Sequence, residues 1–248
     1  MITWSARRQP ELLPDIEKAA ARRVPHVELL EEEGRQRYSE LVRALAKKLG
    51  WEAANGFALT AEMIGTVAGH AALMGLNLDS KAFAGVRTVV LHPTTMVLTE
   101  PRPGPFLHTV TEGPMPVLGH TTATGPVFIA WDVAREQARH PEGGQNVILH
   151  EFAHRLDIMD GTFDGTPPLH DRQRRQRWID VFQAELDALR AGAGSRLLDD
   201  YAATNPSEFF AVATEAFFGR AAALRADRPE LYDVLADYYR QDPAARSR

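Results

Sequence analysis

Apolar residues recur every three or four places through the first eighty positions and again after residue 145. Between residues 86 and 131 they gather instead into short β-branched runs. Residues 1–15 are polar and broken by Pro10 and Pro14, and read as a loose leader. Residues 16–48 are rich in Ala, Leu, Glu, Lys and Arg with a break near Pro25, and the spacing predicts an amphipathic helix over 28–49 that stops at Gly50. Thr60 predicts the cap of a second helix that carries Met63, Val67, Ala71 and Leu73 to Gly75; it is apolar nearly all round, so burial is expected. Residues 86–91 predict a strand, residues 95–98 continue the extended chain, and Pro and Gly predict a loop over 101–105. A second strand is predicted over 126–131, followed by a short helix (133–137), a longer one between 145 and 160, and a loop over 160–170. A helix over 171–190 then leads through a Gly/Ala/Ser link (191–195) to two last helices near 206–220 and 228–241. No internal repeat or low-complexity tract interrupts the series. The fold class expected is α+β, mostly helical around a small mixed sheet. A single domain is expected over 16–248, with a helical part at 16–79 and a strand-containing part at 80–248.

Composition narrows the chemistry. Hydrophobic residues make up 44% and charged ones 25% of the 248, ordinary for a globular protein with a sizeable core. The net charge of −5 does not favour nucleic acid or an anionic membrane, so neither is expected as a partner. No apolar run approaches the roughly 20 residues of a membrane helix, and the first ten residues hold no apolar segment of a secretory signal. There is no cysteine. That fits a reducing compartment, and cytoplasmic location is the expectation. It also removes thiolate ligands, so a metal site here must use His, Asp, Glu and water, and a deformylase-type site with its Cys ligand is excluded.

The helix predicted between 145 and 160 carries His150-Glu151-Phe152-Ala153-His154, an HExxH. Two imidazoles four residues apart stand on one face about one turn apart, a spacing that suits two ligands of one cation. The glutamate between them can reach a water on that cation and take its proton, which is the arrangement of a zinc hydrolase. Gly143-Gly144 before the segment and Asp160-Gly161 after it supply a start and a stop.

A catalytic zinc takes a third protein ligand. A metzincin pattern would need Gly at 157 and His at 160, where Asp157 and Asp160 stand. Downstream, residues 205–218 predict an apolar helix with Glu208 and Glu215 two turns apart on nearly one face. A carboxylate on such a helix needs a partner. Asn205, Pro206 and Glu208 also spell a capping box, which would account for Glu208 without a metal. Spacing leaves Glu208 and Glu215 tied. Asp164, in Gly161-Thr162-Phe163-Asp164-Gly165, resembles the ligand segment of aspartate-type zincins, but Thr166-Pro167 stand where that pattern has Tyr-Gly.

The blocks from His150 to Asp157, Asp160-Gly161, and Asp200-Tyr201-Ala202-Ala203-Thr204-Asn205-Pro206-Ser207-Glu208-Phe209-Phe210-Ala211-Val212 resemble the Mlc titration factor A family of bacterial zinc peptidases. The likeness extends over most of the chain, and the second block is also similar to the catalytic domain of anthrax lethal factor. The resemblance implies a zincin-like metallopeptidase domain of the gluzincin type. It implies one Zn2+ held by His150, His154 and Glu208, with Glu151 as general base and Tyr201 as donor to the oxyanion or the leaving amine. Glu215 and Asp157 then become candidates to orient the histidines. Peptide is the implied substrate, with aminopeptidase-like activity. A glucose-responsive repressor of sugar uptake, the Mlc repressor of that family, is the implied partner. The alternative is a non-catalytic protein that sequesters a transcription factor and keeps a structural or vestigial metal site.

Three other features are weaker. Arg172, Arg174, Arg175 and Arg177 form a basic run on a helix whose Trp178, Val181, Phe182 and Leu186 have core spacing, which favours a solvated face over a nucleic-acid patch. His120 and His170 lie in expected loops and could border the site. The strand at 126–131, just before the metal helix, is the candidate edge for pairing with a peptide main chain.

Overall fold

The computed structural model describes the backbone of residues 2–4, 12–54, 56–94, 96–98, 102–103, 110–111, 115–117, 119–121 and 125–246, with side chains in 12–54, 56–94 and 125–246. In chain order the elements are β1 (Ile2–Trp4), α1 (Leu13–Arg23), α2 (Glu32–Lys48), β2 (Gly50–Ala53), α3 (Ala61–Gly75), β3 (Thr88–His92), β4 (Met96–Leu98), β5 (Arg102–Pro103), β6 (Val110–Thr111), β7 (Met115–Val117), β8 (Gly119–Thr121) and β9 (Val127–Ala130). Then follow α4 (Trp131–Arg139), α5 (Val147–Asp157), α6 (Arg172–Arg190), α7 (Pro206–Gly219), α8 (Ala221–Asp227) and α9 (Pro229–Tyr239).

The main sheet runs β1-β2-β3-β9-β8. Its centre, β2, β3 and β9, is parallel, and both outer strands are antiparallel to it. Two small ribbons, β4–β7 and β5–β6, complete the strands. Alternation decides which face is inside: Trp51, Val89, Leu91, Val127 and Ile129 point into one contiguous core that extends from Ile16 to Ala244, while Val90, His92 and Phe128 take the other face. The mixed α+β architecture expected from the sequence is what forms.

Several boundaries differ from the sequence reading. Within 1–15, Ile2–Trp4 pair with β2 and a helix begins at Leu13. The helix expected over 28–49 starts at Glu32, because Pro25–Leu29 close a separate 3-10 turn. β2 was not expected; Trp51 and Ala53, buried on either side of Glu52, were its signal. Most of the loop expected over 101–105 lies outside the described residues. The strand at 126–131 is β9, and it is internal: β3 pairs with one side and β8 with the other, so among the described residues β8 forms the edge on that side. Gly119 and the Pro and Thr around it hid β8 from a hydrophobicity pattern.

The buried helices behave as their composition requires. α3 is covered on all sides from Met63 to Met74, and Thr60 caps it by accepting from the Met63 amide at 3.3 Å. It lies close against α1 because its contact positions are glycines. A Cβ at Gly65 would fall 2.3 Å from the Ile16 carbonyl oxygen, and one at Gly69 would meet the Tyr38 hydroxyl at 2.6 Å. α6 turns Trp178, Phe182 and Leu186 inward, where Trp178 stacks on Phe182 at 4.0 Å and meets Phe210 and Tyr238 edge-on. Its arginines face outward, Arg174 paired with Asp237 at 2.6 Å and Arg177 3.9 Å from Asp233, as a solvated face predicts.

Gly65→Ala forces a methyl into backbone, and overpacking of this kind costs about 1–3 kcal/mol. Gly143, with nothing within 4 Å of its position for a Cβ, provides the control. Thermal unfolding of G65A is expected to show a Tm several degrees below wild type, with G143A near wild type; equal Tm values for the two would refute the close α1–α3 approach.

Candidate metal centre

α5 begins where Asn146 accepts from the amides of Ile148 and Leu149, both at 3.1 Å, and ends at Asp157, where a 3-10 turn (Ile158–Asp160) and Gly161 at φ 96° reverse the chain. Its apolar side, Ile148, Phe152 and Leu156, is fully buried, with the Phe152 ring edge-on to Phe83 at 5.3 Å. The opposite side faces α7. That helix starts at Pro206 behind its cap Asn205, which accepts from the Glu208 amide at 3.0 Å. The capping box expected there is half realised: Asn205 caps, but the Glu208 carboxylate turns toward α5.

His150 Nε2 lies 3.0 Å from Glu208 Oε2, His154 Nε2 lies 3.4 Å from the same oxygen, and the two Nε2 atoms are 3.1 Å apart. All three ligand atoms fall within 4.8 Å of one another, a group that could hold a metal ion. The outer ring nitrogens are also engaged. His150 Nδ1 is 2.8 Å from Glu215 Oε1, and the second oxygen of Glu215 accepts from the Asn146 amide. His154 Nδ1 is 3.0 Å from Ser207 Oγ, which in turn donates to Asp157 Oδ2 at 2.6 Å. Geometry distinguishes the two glutamates: Glu208 meets both inner nitrogens, and Glu215 meets the outer nitrogen of His150.

Because Glu215 accepts from His150 Nδ1, the Nε2 lone pair of a neutral His150 points toward Glu208. With both histidines neutral and their hydrogens on Nδ1, three acceptor atoms would converge here, and positive charge would be needed among them. The protonation balance reflects that need. Burial alone would lower His150, but its hydrogen bonds to Glu208 and Glu215 hold it well above the ordinary imidazole value. Burial would raise Glu208, and the two histidines hold it far below the usual carboxylate range. Burial pushes Asp157 up to about 6, against the Ser207 hydroxyl and the Gly165 amide. A divalent cation fits a donor set of two imidazoles and a carboxylate.

Glu151 is 4% exposed and Tyr201 is 45% exposed. Tyr201 sits on a 3-10 turn (Asp200–Ala203) started by Asp199, which accepts from the Tyr201 amide at 2.9 Å, and its ring is 6.3 Å from that of His150. Partial burial, then the Glu208 carboxylate, which also accepts from its hydroxyl, and then Glu151 raise the phenol far above its ordinary value. It therefore stays protonated and able to donate.

The loop between α5 and α6 is fastened to this centre. Gly165 takes φ 73° and approaches Pro206 so closely that a Cβ would fall 2.3 Å from its carbonyl oxygen, while Trp178 Nε1 donates to the Gly165 carbonyl at 2.9 Å. Phe163 in the same loop lies edge-on to His154 at 6.2 Å. Asp164 accepts from the Thr166 amide at 2.9 Å and is not part of the ligand group; it sets a turn. His170 is exposed and likewise outside the group. His120 is in β8, and its side chain is outside the described residues. Ser207 and Phe163 escaped the sequence reading, since neither residue type nor spacing marks them; only the Ser207–Glu208 adjacency hinted that Ser207 lies near the site.

Comparison with known proteins agrees with the geometry. The sequence profile described as glucose-regulated metallo-peptidase M90 matches residues 2–240. An uncharacterized protein of Synechocystis sp. is 31% identical over 248 residues, covering 98% of this chain and 90% of that protein. The Mlc titration factor A of Serratia proteamaculans is 29% identical over 259 residues (99% and 95%), and that of Yersinia pestis 29% over 254 residues (98% and 90%). The resemblance read from the motif blocks is borne out. With a match over nearly its whole length, the chain belongs to the glucose-regulated metallo-peptidase M90 family.

Proposed function

We propose that this protein is a zinc-dependent peptidase of the gluzincin type, with His150, His154 and Glu208 holding the ion. The observation that carries this reading is the convergence of three potential ligand atoms, two ring nitrogens and a carboxylate oxygen, with the Nδ1 atoms of both rings already engaged by other partners. A zinc ion held by such a set would polarise a peptide carbonyl and lower the pKa of the attacking water. Glu151 would take the proton of the attacking water on its carboxylate and pass it to the leaving amine. Tyr201 donates its Oη hydrogen to the developing oxyanion. The peptide main chain pairs with β8, which among the described residues is the edge strand beside β9. We further propose that residues 16–248 make one zincin-like domain, which their single contiguous core supports.

The named relatives add a second role. Proteins called Mlc titration factor A are similar along the whole chain, and we propose that this one binds an Mlc-like repressor of sugar uptake, which would place both in the cytoplasm. Aminopeptidase-like cleavage is the activity to test first. The competing reading, a sequestering protein with a structural metal, is favoured by the same name, since titration describes binding. Among the described residues no helix is long and apolar enough to cross a membrane.

Glu151→Gln separates the readings. Zinc content is expected to stay near one per chain while kcat/KM on aminoacyl and longer peptide reporters falls about 100- to 10,000-fold; unchanged cleavage would refute Glu151 as the general base, wild type without chelator-sensitive cleavage would refute the peptidase role, and repressor binding that survives the change shows that binding does not need catalysis. Glu208→Ala is expected to lose the metal and all chelator-sensitive cleavage. Glu215→Gln, which puts an amide NH2 where two donors now find acceptors, is expected to weaken zinc binding about 10- to 100-fold in competition with a chromophoric chelator. Zinc affinity equal to wild type would show that Glu215 does not orient His150.

A further inference from the structure

The two histidines of the centre are held differently. His150 is oriented by a carboxylate directly, through Glu215. His154 has no carboxylate at its outer nitrogen; a serine hydroxyl stands there at 3.0 Å. A hydroxyl both donates and accepts, so by itself it does not choose the tautomer of an imidazole. What lies beyond it does. Ser207 Oγ is 2.6 Å from Asp157 Oδ2, and a carboxylate can only accept, so the serine proton belongs to that bond. The oxygen of Ser207 is then left to accept, and His154 must carry its hydrogen on Nδ1. Both Ser207 and Asp157 are buried, at 5% and 0% exposure, so water does not compete for either bond.

We propose that Ser207 is a positioning residue: its hydroxyl links His154 Nδ1 to the buried Asp157 carboxylate and thereby turns the Nε2 lone pair of His154 toward the metal position. The placement has a second effect. Asp157 lies one turn after His154 on α5, whereas Ser207 reaches across from the first turn of α7. The link therefore ties the two helices together one residue before Glu208, so the same bond that orients one ligand fixes the backbone that carries another. The sequence expectation that Asp157 orients His154 takes, on this geometry, an indirect form through the hydroxyl.

This inference rests on the metallopeptidase reading, and its test keeps the two apart. Zinc affinity of wild type, Ser207→Ala, Ser207→Thr and Glu208→Ala is measured by chelator competition, and 15N NMR of metal-free wild type in alkaline buffer reports the His154 tautomer. Expected are the Nδ1–H tautomer in wild type, a loss of about 10- to 100-fold in affinity for Ser207→Ala, and recovery of most of it in Ser207→Thr, which keeps the hydroxyl. An Nε2–H tautomer in the wild type overturns the proposal, and needs no variant to fold. So does folded Ser207→Ala with wild-type affinity, while loss of zinc by Glu208→Ala in the same experiment leaves the metal site standing. If Glu208→Ala also binds as wild type does, the metal reading itself fails.

Discussion

A carboxylate and two imidazole nitrogens that face one another need positive charge among them, as a shared proton or a cation, and the packing of α5 on α7 forces Glu208, His150 and His154 into that position. The apolar sides of both helices drive the approach. Ile148, Phe152 and Leu156 from one, and Phe209, Phe210, Ala213 and Phe217 from the other, are buried in a single core. Their gain on leaving water, about 1.5–3 kcal/mol for each large side chain, exceeds what the site alone could supply. The hydrophobic effect thus holds a polar arrangement that polar forces alone would scatter.

The ends of the helices make the arrangement exact enough to matter chemically. Asn146 caps α5 through its side chain, and its own amide donates to Glu215 of α7. Asn205 caps α7 and releases the Glu208 side chain from the reciprocal bond a capping box would have required. Gly165, in a conformation that glycine adopts without strain, brings the intervening loop onto Pro206. Each device acts within a turn of a residue at the centre, so small errors in helix register are not passed on to the ligand atoms.

How much of this could be read from the sequence depends on the distance over which each feature is decided. That His150 and His154 share one face of α5, with Glu151 between them, is fixed by helical periodicity within one turn, and that placement was legible. So were the burial of α3 and the inward face of α6, which follow from local pattern. Spacing could not separate Glu208 from Glu215, and only the family resemblance did, because both lie on one face of α7 and the position of α5 decides which nitrogen each one meets. Ser207 was invisible for the same reason. β2, β8 and α8 were missed because short elements with Gly, Pro or Ala owe their state to neighbours in the sheet or core rather than to their own propensity. β9 was recognised as a strand but given an edge it does not have, since strand order is a property of the whole sheet.

The arrangement also couples the centre to the fold. Four carboxylates, Glu151, Asp157, Glu208 and Glu215, are buried or half-buried around two imidazoles. In water each would be solvated, and folding strips that solvation away. The hydrogen bonds of Glu208 and Glu215 to His150, and of Asp157 to Ser207, recover part of the loss. A cation bound only by the folded chain recovers more, because its binding free energy adds to that of folding. His150 and His154 lie more than fifty residues before Glu208, so an ion held by all three closes a long loop and joins α5 to α7 as a cross-link would. In a chain without cysteine, and so without disulfides, such an ion would supply a cross-link of that kind.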